Sequence, residues 1–506
     1  MKITDLESAV VFLKSFASYE DFLTYKYGEE AFNLRRFEKF LDDYGVDYRR
    51  LRCIHVAGSK GKGTTCNFIA RYLGACGGGG CVTGAGRVGV TGSVAGYKVG
   101  LFTSPYIVDI TESIVVDGKM IPKTVFIKYV KDLQSFFCGG DDGVGGCDRE
   151  RASCGSSECE CDCERASRGA SACKCGRGLG NVTYFELLTT IAFQYFLDQK
   201  VDFAVLEVGL GGRLDSTNVC RPILTVLTRI EKEHTKLLGS TYREILNEKL
   251  GIVKEYNVKN KIPLIVAPQI NPVLREIKSR KLRVPTVYVD CEGDVAVLRG
   301  PNFLTSFLAL LNLSCRKIIG AVGPELFDKI CQSAHLPGRF DVRRIGKKTS
   351  SGTAWKTVVF DMAHTVTSAK YLRNSLEGKF PGKKFVFLIS ILKFKNVKGF
   401  LKEVLKGEDE VVFTKSHEKR SYNGKELLGI YKTLCKRGIG WGKSGVSEKR
   451  VGGSEGKTFA AGKASAVENP VSAFEFALRN LEKDQVLVVT GSHFLVGKIL
   501  KFLKEK

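Results

Sequence analysis

The stretch HVAGSKGKGTT, residues 55–65, decides the fold of the first half of the chain. An apolar, strand-like run, LRCIHVAG (51–58), leads into its glycine-rich turn, and a helical pattern follows. Strand, glycine loop and helix together form the usual anion-binding arrangement of backbone N–H groups. The common P-loop, G-x-x-x-x-G-K-[ST], is not matched. Val56 stands at its first glycine, and the hydroxyl after Lys62 comes one place late, at Thr64.

Three glycines give this loop its chemical interest. Gly58, Gly61 and Gly63 allow backbone N–H groups to turn inward toward an anion. Lys62 adds a positive charge, and the helix that follows directs its N-terminus to the same place. A glycine turn without ligand remains the alternative at this point. The sequence therefore predicts a phosphate loop of an uncommon type.

Length and composition set the broad class of the protein. With 506 residues, 43% of them apolar, the chain is long enough for two globular domains. It has no apolar run near the roughly 20 residues that a membrane span needs. The first residues, MKITDLESAVVFLKSF (1–16), favour an amphipathic helix over a signal peptide. We expect a cytoplasmic protein, with mostly free thiols among its 17 cysteines.

The net charge of +24 is unevenly distributed. Residues 1–250 hold 32 Lys and Arg against 31 Asp and Glu, whereas residues 251–506 hold 46 against 23. A basic half is typical of proteins that bind nucleic acid or an acidic substrate, and also of a merely solvated surface. Because the basic residues are scattered rather than clustered in one arm, we expect no nucleic-acid partner.

Buried-strand patterns alternate with helical stretches in the first half. DFAVLEVG (202–209) includes a carboxylate, Glu207, near its end, and ILTVLTRI (223–230) is soon followed by His234. This alternation predicts a parallel sheet whose functional loops follow the carboxyl ends of the strands.

A second series of strand patterns begins after about residue 298. Its members are TVVFDMAH (357–364), KFVFLISIL (384–392), EVVFTKSH (410–417) and VLVVTGSH (486–493). We therefore predict an α/β protein with an N-terminal domain over residues 1–297 and a smaller, basic α/β domain over residues 298–506. The link between them is expected near residues 291–300.

Two segments interrupt these patterns. Residues 138–180 hold eight of the 17 cysteines with few large apolar residues, and residues 436–465 are rich in Gly, Ser and Lys. Both are typical of insertions or flexible loops. CECDC (159–163) and CKC (173–175) leave metal binding open, but structural zinc sites usually have C-x₂₋₄-C pairs. We favour a low-complexity insertion.

Further motifs follow the glycine loop in a fixed order. They are LFTSPYIVDITESI (101–114), TYFELLTTIAF (183–193), LEVGLGGRLDSTN (206–218), EHTKLLGST (233–241), NEKLGIVK (247–254), LPGRFDV (336–342) and VVTGSHFLVGKI (488–499). Together they resemble the folylpolyglutamate synthase and dihydrofolate synthase family, within the Mur ligase group. GSKGKGT resembles that family's GTNGKG[ST] loop, so the displaced hydroxyl is the family's own version.

This resemblance implies a fold and a reaction. The fold is an N-terminal ATPase domain of the P-loop type, a smaller C-terminal Rossmann-like domain, and a site in the cleft between them. The implied reaction uses ATP and Mg²⁺. A carboxylate of the pterin substrate attacks the γ-phosphate, and the amine of L-glutamate attacks the acyl phosphate. We expect a monomer whose partners are L-glutamate and dihydropteroate or a reduced folate, without a membrane.

The resemblance also implies a nucleotide-binding set. Its loop positions are Gly58, Ser59, Lys60, Gly61, Lys62, Gly63 and Thr64. Arg339 and Asp361 match nucleotide contacts in the second domain, expected to be to phosphate and ribose. Lys62 is expected to stabilise the charge that develops on the transferring phosphoryl group.

Metal and substrate positions are implied in the same way. The Mg²⁺ ligands would be Ser104, Glu207, His234 and Lys249, the last as the family's carbamylated lysine. Lys62, His234 and Lys249 would be the catalytic residues. Positions around the pterin substrate are Thr183, Tyr184, Phe185, Glu186, Arg213, Leu214 and Asp215. Mg²⁺ prefers oxygen ligands, so the assignment of His234 rests on the resemblance alone.

Each assignment has a plain structural alternative. His234 could be a surface histidine, Lys249 a solvated helix lysine, and Phe185 a core residue. Glu207 and Asp361 could be ordinary strand-end carboxylates. Arg339 could be an exposed arginine in a turn.

The sequence departs from the family pattern in several places. The family's loop asparagine is Lys60, and the aspartate of its D-H-T motif is Glu233. In the D-G-A-H-N segment, Met362 and Thr365 replace the glycine and the asparagine. A family asparagine at the adenine aligns loosely with Thr305. These departures affect the expected nucleotide affinity and not the fold.

GLGGRLD (209–215) and TYFE (183–186) resemble the bacterial type of enzyme, which joins glutamate both to dihydropteroate and to reduced folates. We therefore favour a bifunctional enzyme. The alternatives are a monofunctional folylpolyglutamate synthase, another Mur-type amino-acid ligase, or a catalytically degenerate protein that binds ATP or folate.

Overall fold

The protein's structure, a computed structural model, describes residues 2–16, 32–76, 96–138, 182–290, 300–334, 336–349, 352–436 and 464–505. The chain forms two compact units. The first comprises residues 1–106 and 110–334, and the second comprises residues 107–109 and 335–506. Each unit is built on its own mixed, mostly parallel sheet, and the predicted α/β fold class is confirmed.

The first unit contains an eight-stranded sheet in the order β4-β3-β2-β5-β1-β6-β7-β8. Its strands are β1 (Cys53–Ala57), β2 (Val99–Phe102), β3 (Ile114–Val116), β4 (Lys119–Met120), β5 (Phe203–Glu207), β6 (Pro222–Leu227), β7 (Leu264–Val266) and β8 (Thr286–Tyr288). Pairing is parallel except for β3, which runs antiparallel to β2 and β4. Every residue of β1 and β5 is buried, as expected for central parallel strands covered on both faces.

Helices cover both faces of this sheet. Those of the first unit are α1 (Leu6–Lys14), α2 (Leu34–Tyr44), α3 (Lys62–Ala75), α4 (Lys123–Cys138), α5 (Tyr184–Asp198), α6 (Thr235–Leu238), α7 (Tyr242–Leu250), α8 (Glu255–Lys259), α9 (Asn271–Ser279), α10 (Pro301–Cys315) and α11 (Pro324–Ser333). Helix α1 confirms the predicted amphipathic N-terminal helix. Among the described helices, none combines the length and the apolarity that a membrane crossing requires.

The division between the units differs from the predicted boundary at residues 297 and 298. The first unit continues to Ala334, because α10 and α11 pack on α3. Leu310 and Phe327 are buried in one cluster with Ile69 of α3, and Gly323 N donates to the Tyr72 hydroxyl at 2.8 Å. Helices with an apolar face must bury it somewhere, and here α3 provides the surface.

The second unit contains a six-stranded sheet in the order β13-β12-β11-β14-β10-β9. Its strands are β9 (Asp341–Thr349), β10 (Gly352–Phe360), β11 (Lys384–Ile389), β12 (Glu410–Phe413), β13 (Ala464–Ala466) and β14 (Gln485–Thr490). Only β9 pairs antiparallel, with β10. The helices are α12 (Val366–Lys379), α13 (Val397–Val404), α14 (Gly424–Lys436), α15 (Pro470–Asn480) and α16 (His493–Glu505). Four of these strands correspond to the four predicted strand patterns.

The predicted insertions lie almost entirely outside the described residues. Of segment 138–180 only Cys138 is described, and of segment 436–465 only residues 436, 464 and 465. The expectation of an insertion in each, and the metal alternative for CECDC and CKC, therefore stay predictions. Five cysteines in the described parts of the chain are free thiols: Cys53, Cys66, Cys220, Cys315 and Cys435.

Candidate active site

The glycine loop joins β1 to α3 at the carboxyl edge of the first sheet. Ser59 N and Lys60 N both donate to the carbonyl oxygen of Arg229, at 2.8 and 3.1 Å. The Ser59 hydroxyl donates to the carbonyl of Glu231 at 3.0 Å. The segment after β6 thus fixes the outer side of the loop. Lys62 is the first residue of α3, where N–H groups and the helix dipole favour an anion.

Glycine is required in the loop by both backbone angle and space. Gly58 has φ +145°, and a Cβ there would lie 1.9 Å from Thr228 Oγ1. Gly61 has φ +88°, and its Cβ would lie 2.1 Å from Asn302 Oδ1. A Cβ on Gly63 would lie 3.1 Å from Glu207 Oε2. The loop is therefore closely surrounded by polar side chains.

A pair of substitutions separates the two requirements at Gly61. Gly45, at the end of α2, has a similar φ of +84° but open space around a Cβ. Both Gly61→Ala and Gly45→Ala impose left-handed strain of about 1 kcal/mol, but only Gly61→Ala also displaces Asn302. We expect Gly61→Ala to weaken nucleotide binding at least about tenfold and Gly45→Ala to leave it unchanged, as measured by calorimetric titration. Equal affinities in the two variants would contradict the close packing of the loop.

Three lysines surround a buried carboxylate beside the loop. Glu233 Oε2 lies 3.4 Å from Lys60 Nζ, and Glu233 Oε1 lies 3.5 Å from Lys249 Nζ. The Lys249 side chain is 2% exposed, and its Nζ donates to the carbonyl of Gly58 at 2.8 Å. Lys62 is near enough to influence both Glu233 and Lys249 by charge. Lys249 is therefore no solvated helix lysine, and that alternative is wrong.

The charges in this cluster shift two pKa values. Burial raises the pKa of Glu233, but the charges of Lys249, Lys60, Lys62 and His234 outweigh it and hold this pKa far below its ordinary value. Burial lowers the pKa of Lys249 to about 8; Glu233 opposes this shift, and Lys62 and Lys60 add to it. Glu233 is thus ionised at neutral pH, whereas about one-tenth of Lys249 is neutral at pH 7.

The ion pair between Lys60 and Glu233 joins two departures from the family pattern. Lys60 adds a positive charge to the loop at the position of the family's asparagine. In the structure, the longer carboxylate of Glu233 lies between Lys60 and Lys249. Each departure therefore supplies the other with a partner of opposite charge.

Glu207 ends β5 and lies beside the loop. It is buried, and its Oε2 accepts a hydrogen bond from Ser104 N at 3.1 Å. Two of the predicted metal positions, Ser104 and Glu207, are thus brought together. No group of three or more His, Cys, Asp and Glu in the described part of the chain could hold a metal ion. The pair Ser104 and Glu207 nevertheless fits Mg²⁺, which proteins commonly hold through one or two carboxylates, with phosphate oxygens and water completing the shell.

His234 begins α6 in the left-handed conformation, with φ 49°. The residue is exposed, and its charge contributes to the low pKa of the adjacent Glu233. The structure therefore places His234 beside the lysine cluster. Its predicted role as a metal ligand stays a prediction.

A pocket that is partly open to solvent lies in the same unit. Its walls are Phe32, Thr183, Phe185, Glu186, Leu210, Leu214, Asp215 and Ser216. Five of the seven predicted substrate positions therefore share one pocket. Tyr184 instead packs against the main core, and Arg213 pairs with Glu248, with Nε 3.1 Å from Oε1.

Glu186 fixes one wall of this pocket. It is buried, and both carboxylate oxygens accept from Arg36, at 2.8 and 2.9 Å. Oε2 also accepts from Thr183 N at 2.7 Å, while the Thr183 hydroxyl caps α5 in return. Burial raises the pKa of Glu186, which Arg36 and the cap oppose. The TYFE motif thus begins a helix with a capping box and places Phe185 in the pocket.

The loop 209–218 forms the opposite wall and is locked to the end of α7. Asn218 Nδ2 donates to the carbonyls of Arg213 and Gly251, both at 3.0 Å. Arg213 N donates to the carbonyl of Glu248 at 2.7 Å. A Cβ on Gly212 would lie 2.8 Å from that same oxygen. This pocket wall is therefore held directly against the segment that carries Lys249.

The second unit accounts for the remaining predicted positions. Asp361 is partly buried, and its carboxylate accepts from Phe340 N and Ala363 N, each at 2.8 Å. Burial raises its pKa, which these bonds and the charge of Arg339 oppose. Arg339 is exposed. Asp361 thus organises the end of its strand, which was the structural alternative for this carboxylate. A nucleotide contact from Asp361 or Arg339 stays a prediction.

Two departures in the same segment have structural explanations. Met362 is 6% exposed and packs in an apolar cluster with Val496, so its side chain belongs to the core. Thr365 caps α12 through Ser368 N. Threonine and asparagine are both favourable N-caps, so the helix start is preserved.

Sequence reasoning missed Asn302. Thr305, the loosely aligned position of the family's asparagine, is buried, and its hydroxyl donates to the carbonyl of Pro301 at 2.7 Å; an adenine contact there stays a prediction. The residue at the loop is Asn302, in the first turn of α10, with its side-chain oxygen against Gly61. A Gly-Pro-Asn sequence marks a helix start, but it does not show what that start contacts.

Comparison with known proteins supports this picture. A dihydrofolate synthase/folylpolyglutamate synthase of Bacillus subtilis is 32% identical over 273 residues, covering 52% of this chain and 50% of the relative. A Saccharomyces cerevisiae dihydrofolate synthetase is 25% identical and covers 76% of this chain and 81% of its own. The chain spans half or less of the length of the first three curated relatives that it matches. No protein-family profile matches.

Solved structures match over nearly the whole length. E. coli FolC in complex with DHPP and ADP gives a TM-score of 0.65 at 22% identity, covering 99% of this chain and 98% of its own. Mycobacterium tuberculosis folylpolyglutamate synthase complexed with ADP gives 0.66 at 20% identity, covering 98% of each chain.

The glycine loop at the carboxyl edge of the first sheet thus belongs to a fold that these solved structures share. The resemblance to the folylpolyglutamate synthase and dihydrofolate synthase family is confirmed, in sequence over about half of the chain and in fold over nearly all of it.

Proposed function

We propose that this protein is an ATP-dependent ligase that joins L-glutamate to dihydropteroate and to reduced folates through an acyl phosphate. The observation that carries the proposal is the cluster of Lys60, Lys62 and Lys249 around Glu233 at the glycine loop. Three cations face one paired carboxylate, so an excess of positive charge is available to the polyphosphate of ATP.

The loop residues would bind and orient the nucleotide. N–H groups of Gly61, Lys62 and Gly63 lie at the start of α3, where β- and γ-phosphate oxygens would accept them. The Lys62 ammonium would stabilise charge on the γ-phosphoryl group as the substrate carboxylate attacks. Thr64 follows in the same first turn, as the family's form of the loop requires.

A bound Mg²⁺ would neutralise the phosphate oxygens and polarise the γ-phosphorus for attack. Glu207 would hold it, together with Ser104. We also propose His234 and a carbamylated Lys249 as ligands of a second ion. One solved relative has Mn, AMPPNP and L-glutamate bound, which agrees with a divalent ion and a nucleotide in such a site.

The pocket between α5 and the loop 209–218 would hold the pteridine ring. Phe185 and Leu214 offer flat apolar contacts, and Asp215 offers a carboxylate to the ring's N–H groups. Arg213 lies outside the pocket wall and pairs with Glu248, so we propose that it orients this wall rather than contacting the ring. The E. coli relative has DHPP bound, which supports a pteridine ligand.

We propose that Arg339 and Asp361 contribute to nucleotide binding, as in the resemblance, with Arg339 the exposed and available cation. We also propose a cytoplasmic monomer.

Glutamate incorporation tests the proposal directly. With MgATP, radiolabelled L-glutamate and either dihydropteroate or tetrahydrofolate, we expect labelled product and an equal amount of ADP in both assays. Product from tetrahydrofolate alone would indicate a monofunctional folylpolyglutamate synthase. Product from neither, with ATP still bound in a titration, would indicate a degenerate binding protein. Ligation of another amino acid to a cell-wall precursor would indicate a different Mur-type enzyme.

A further inference from the structure

A buried line of hydrogen bonds runs from the middle of the first sheet to the pocket. His55, in β1, has its Nε2 2.8 Å from Thr217 Oγ1. Thr217 Oγ1 donates to Asp215 Oδ1 at 2.5 Å. All three side chains are buried, and Asp215 is the member that reaches the pocket wall. The phosphate loop begins three residues after His55, yet the His55 side chain contacts the pocket wall formed by loop 209–218.

The direction of these bonds follows from the surroundings of Asp215. Its Oδ1 also accepts from Thr217 N at 3.0 Å, and its Oδ2 accepts from Leu210 N at 2.9 Å. Backbone N–H donors favour the ionised carboxylate. The Thr217 hydroxyl therefore gives its proton to Asp215 and accepts one from His55 Nε2–H.

These donors occupy most of the capacity of Asp215. A carboxylate has about four acceptor positions, and the described residues fill three of them. The remaining position belongs to Oδ2, the oxygen not turned toward Thr217. A ligand in the pocket can therefore give Asp215 one hydrogen bond, from a ring N–H or an amino group.

We infer that His55 is a positioning residue for the pteridine substrate, which acts through Thr217 to hold the Asp215 carboxylate charged and with one oxygen free for the ring's N–H edge. This inference rests on the proposed function. It assigns to the strand before the phosphate loop a role in recognising the second substrate.

Other charged and titratable groups surround this line. Burial raises the pKa of Asp215; the bonds from Thr217 and Leu210 and the charge of His55 oppose the rise. Glu186, in the same pocket, is paired with Arg36. On the far side of His55 lies Cys220, which in turn neighbours Cys53 and Lys254. The charge of His55 and its hydrogen bond to the Cys220 thiol both lower the pKa of that thiol, while His55 Nε2 is the atom that faces Thr217.

A purely structural role must be distinguished, because Asp215 also caps the short helical turn Ser216–Val219. That role would lower stability and weaken every substrate alike. A positioning role would weaken the pteridine substrate selectively. A positioning role also predicts a pH effect. Without the Thr217 hydroxyl, Asp215 would bind a proton more readily, so on acidification the variant would lose pteridine binding at a higher pH than the parent protein.

The matched variants are Thr217→Val, which removes the hydroxyl at nearly constant volume, and Thr217→Ser, which retains it. Dihydropteroate binding to the full chain is measured by calorimetric titration between pH 5.5 and 8, and KM is measured for all three substrates. We expect Thr217→Val to weaken dihydropteroate binding about tenfold or more, with KM for ATP and glutamate unchanged, and Thr217→Ser to bind almost as the parent protein does.

If Thr217→Val does not fold, His55→Phe removes the N–H group that donates to the Thr217 hydroxyl. The same selective loss of dihydropteroate binding is then expected. Parent-like dihydropteroate binding in Thr217→Val, or an equal rise of all three KM values, would overturn the inference. A parent protein that ligates no glutamate would instead refute the proposed function, so the two failures are distinguishable.

Discussion

Replacing Lys249 with alanine is expected to lower the ligation rate by more than about 100-fold. The Lys249 amine is buried beside Glu233 and the Gly58 carbonyl, and its pKa of about 8 leaves a reactive neutral fraction. A neutral amine can attack CO₂; an N–C bond forms, one proton leaves to solvent, and a carbamate results. Its two oxygens can ligate Mg²⁺, which an ammonium cannot.

Carbamylation gives this prediction a measurement that is independent of activity. In ¹³C-bicarbonate, the parent protein is expected to show a carbamate resonance that Lys249→Ala lacks. Its intensity should rise between pH 6 and 8.5, because deprotonation of an amine with a pKa of about 8 produces more of the neutral form that reacts. Acetate or formate added to Lys249→Ala should restore part of the rate by filling the place of the carbamate.

Lys249→Met separates chemistry from packing, since it fills much of the same volume. Both variants are expected to be inactive and to remain folded. A fully active Lys249→Met protein would refute the assignment. If the variants are inactive but the parent protein shows no carbamate resonance, the role of Lys249 would instead be to hold the phosphate loop through the Gly58 carbonyl.

Lys62→Ala is expected to lower kcat by about 100-fold or more, with a smaller effect on the affinity for ADP. Lys62 is the first residue of α3, and its ammonium would stabilise charge that appears mainly during phosphoryl transfer. Single-turnover measurements with saturating MgATP would separate this step from product release.

Lys123→Ala is the matched control, because Lys123 also begins a helix, α4, but is exposed. It is expected to retain the parent rate. A folded Lys62→Ala protein with the parent kcat would refute the assignment of Lys62 to the transferring phosphoryl group.

Apolar runs predicted the central strands well, because strands covered on both faces need them. DFAVLEVG (202–209) became β5, and VLVVTGSH (486–493) contains the end of β14. The carboxylate that ends β5, Glu207, was placed beside the loop by the same reasoning and lies there. Order along the chain and the carboxyl-edge rule were sufficient for these features.

What the sequence could not predict depends on contacts between distant residues. The ion pair of Lys60 with Glu233 joins positions 173 residues apart, and neither residue alone indicates the other. His55 looked like one more residue of an apolar strand, although its ring contacts Thr217. The domain boundary was misplaced because the apolar face of α10 does not show which surface it covers.

The lock between the loop 209–218 and the end of α7 limits how proteins of this kind can be recombined. Arg213 and Asn218 bind the backbone of Glu248 and Gly251, and neither Gly212 nor Gly251 has room for a side chain. A chimera that took only the pocket loop from a relative would meet a foreign helix end at each of these contacts. Segments 209–218 and 248–251 must therefore be exchanged together, so any exchange of the proposed pteridine pocket would also exchange the backbone around Lys249.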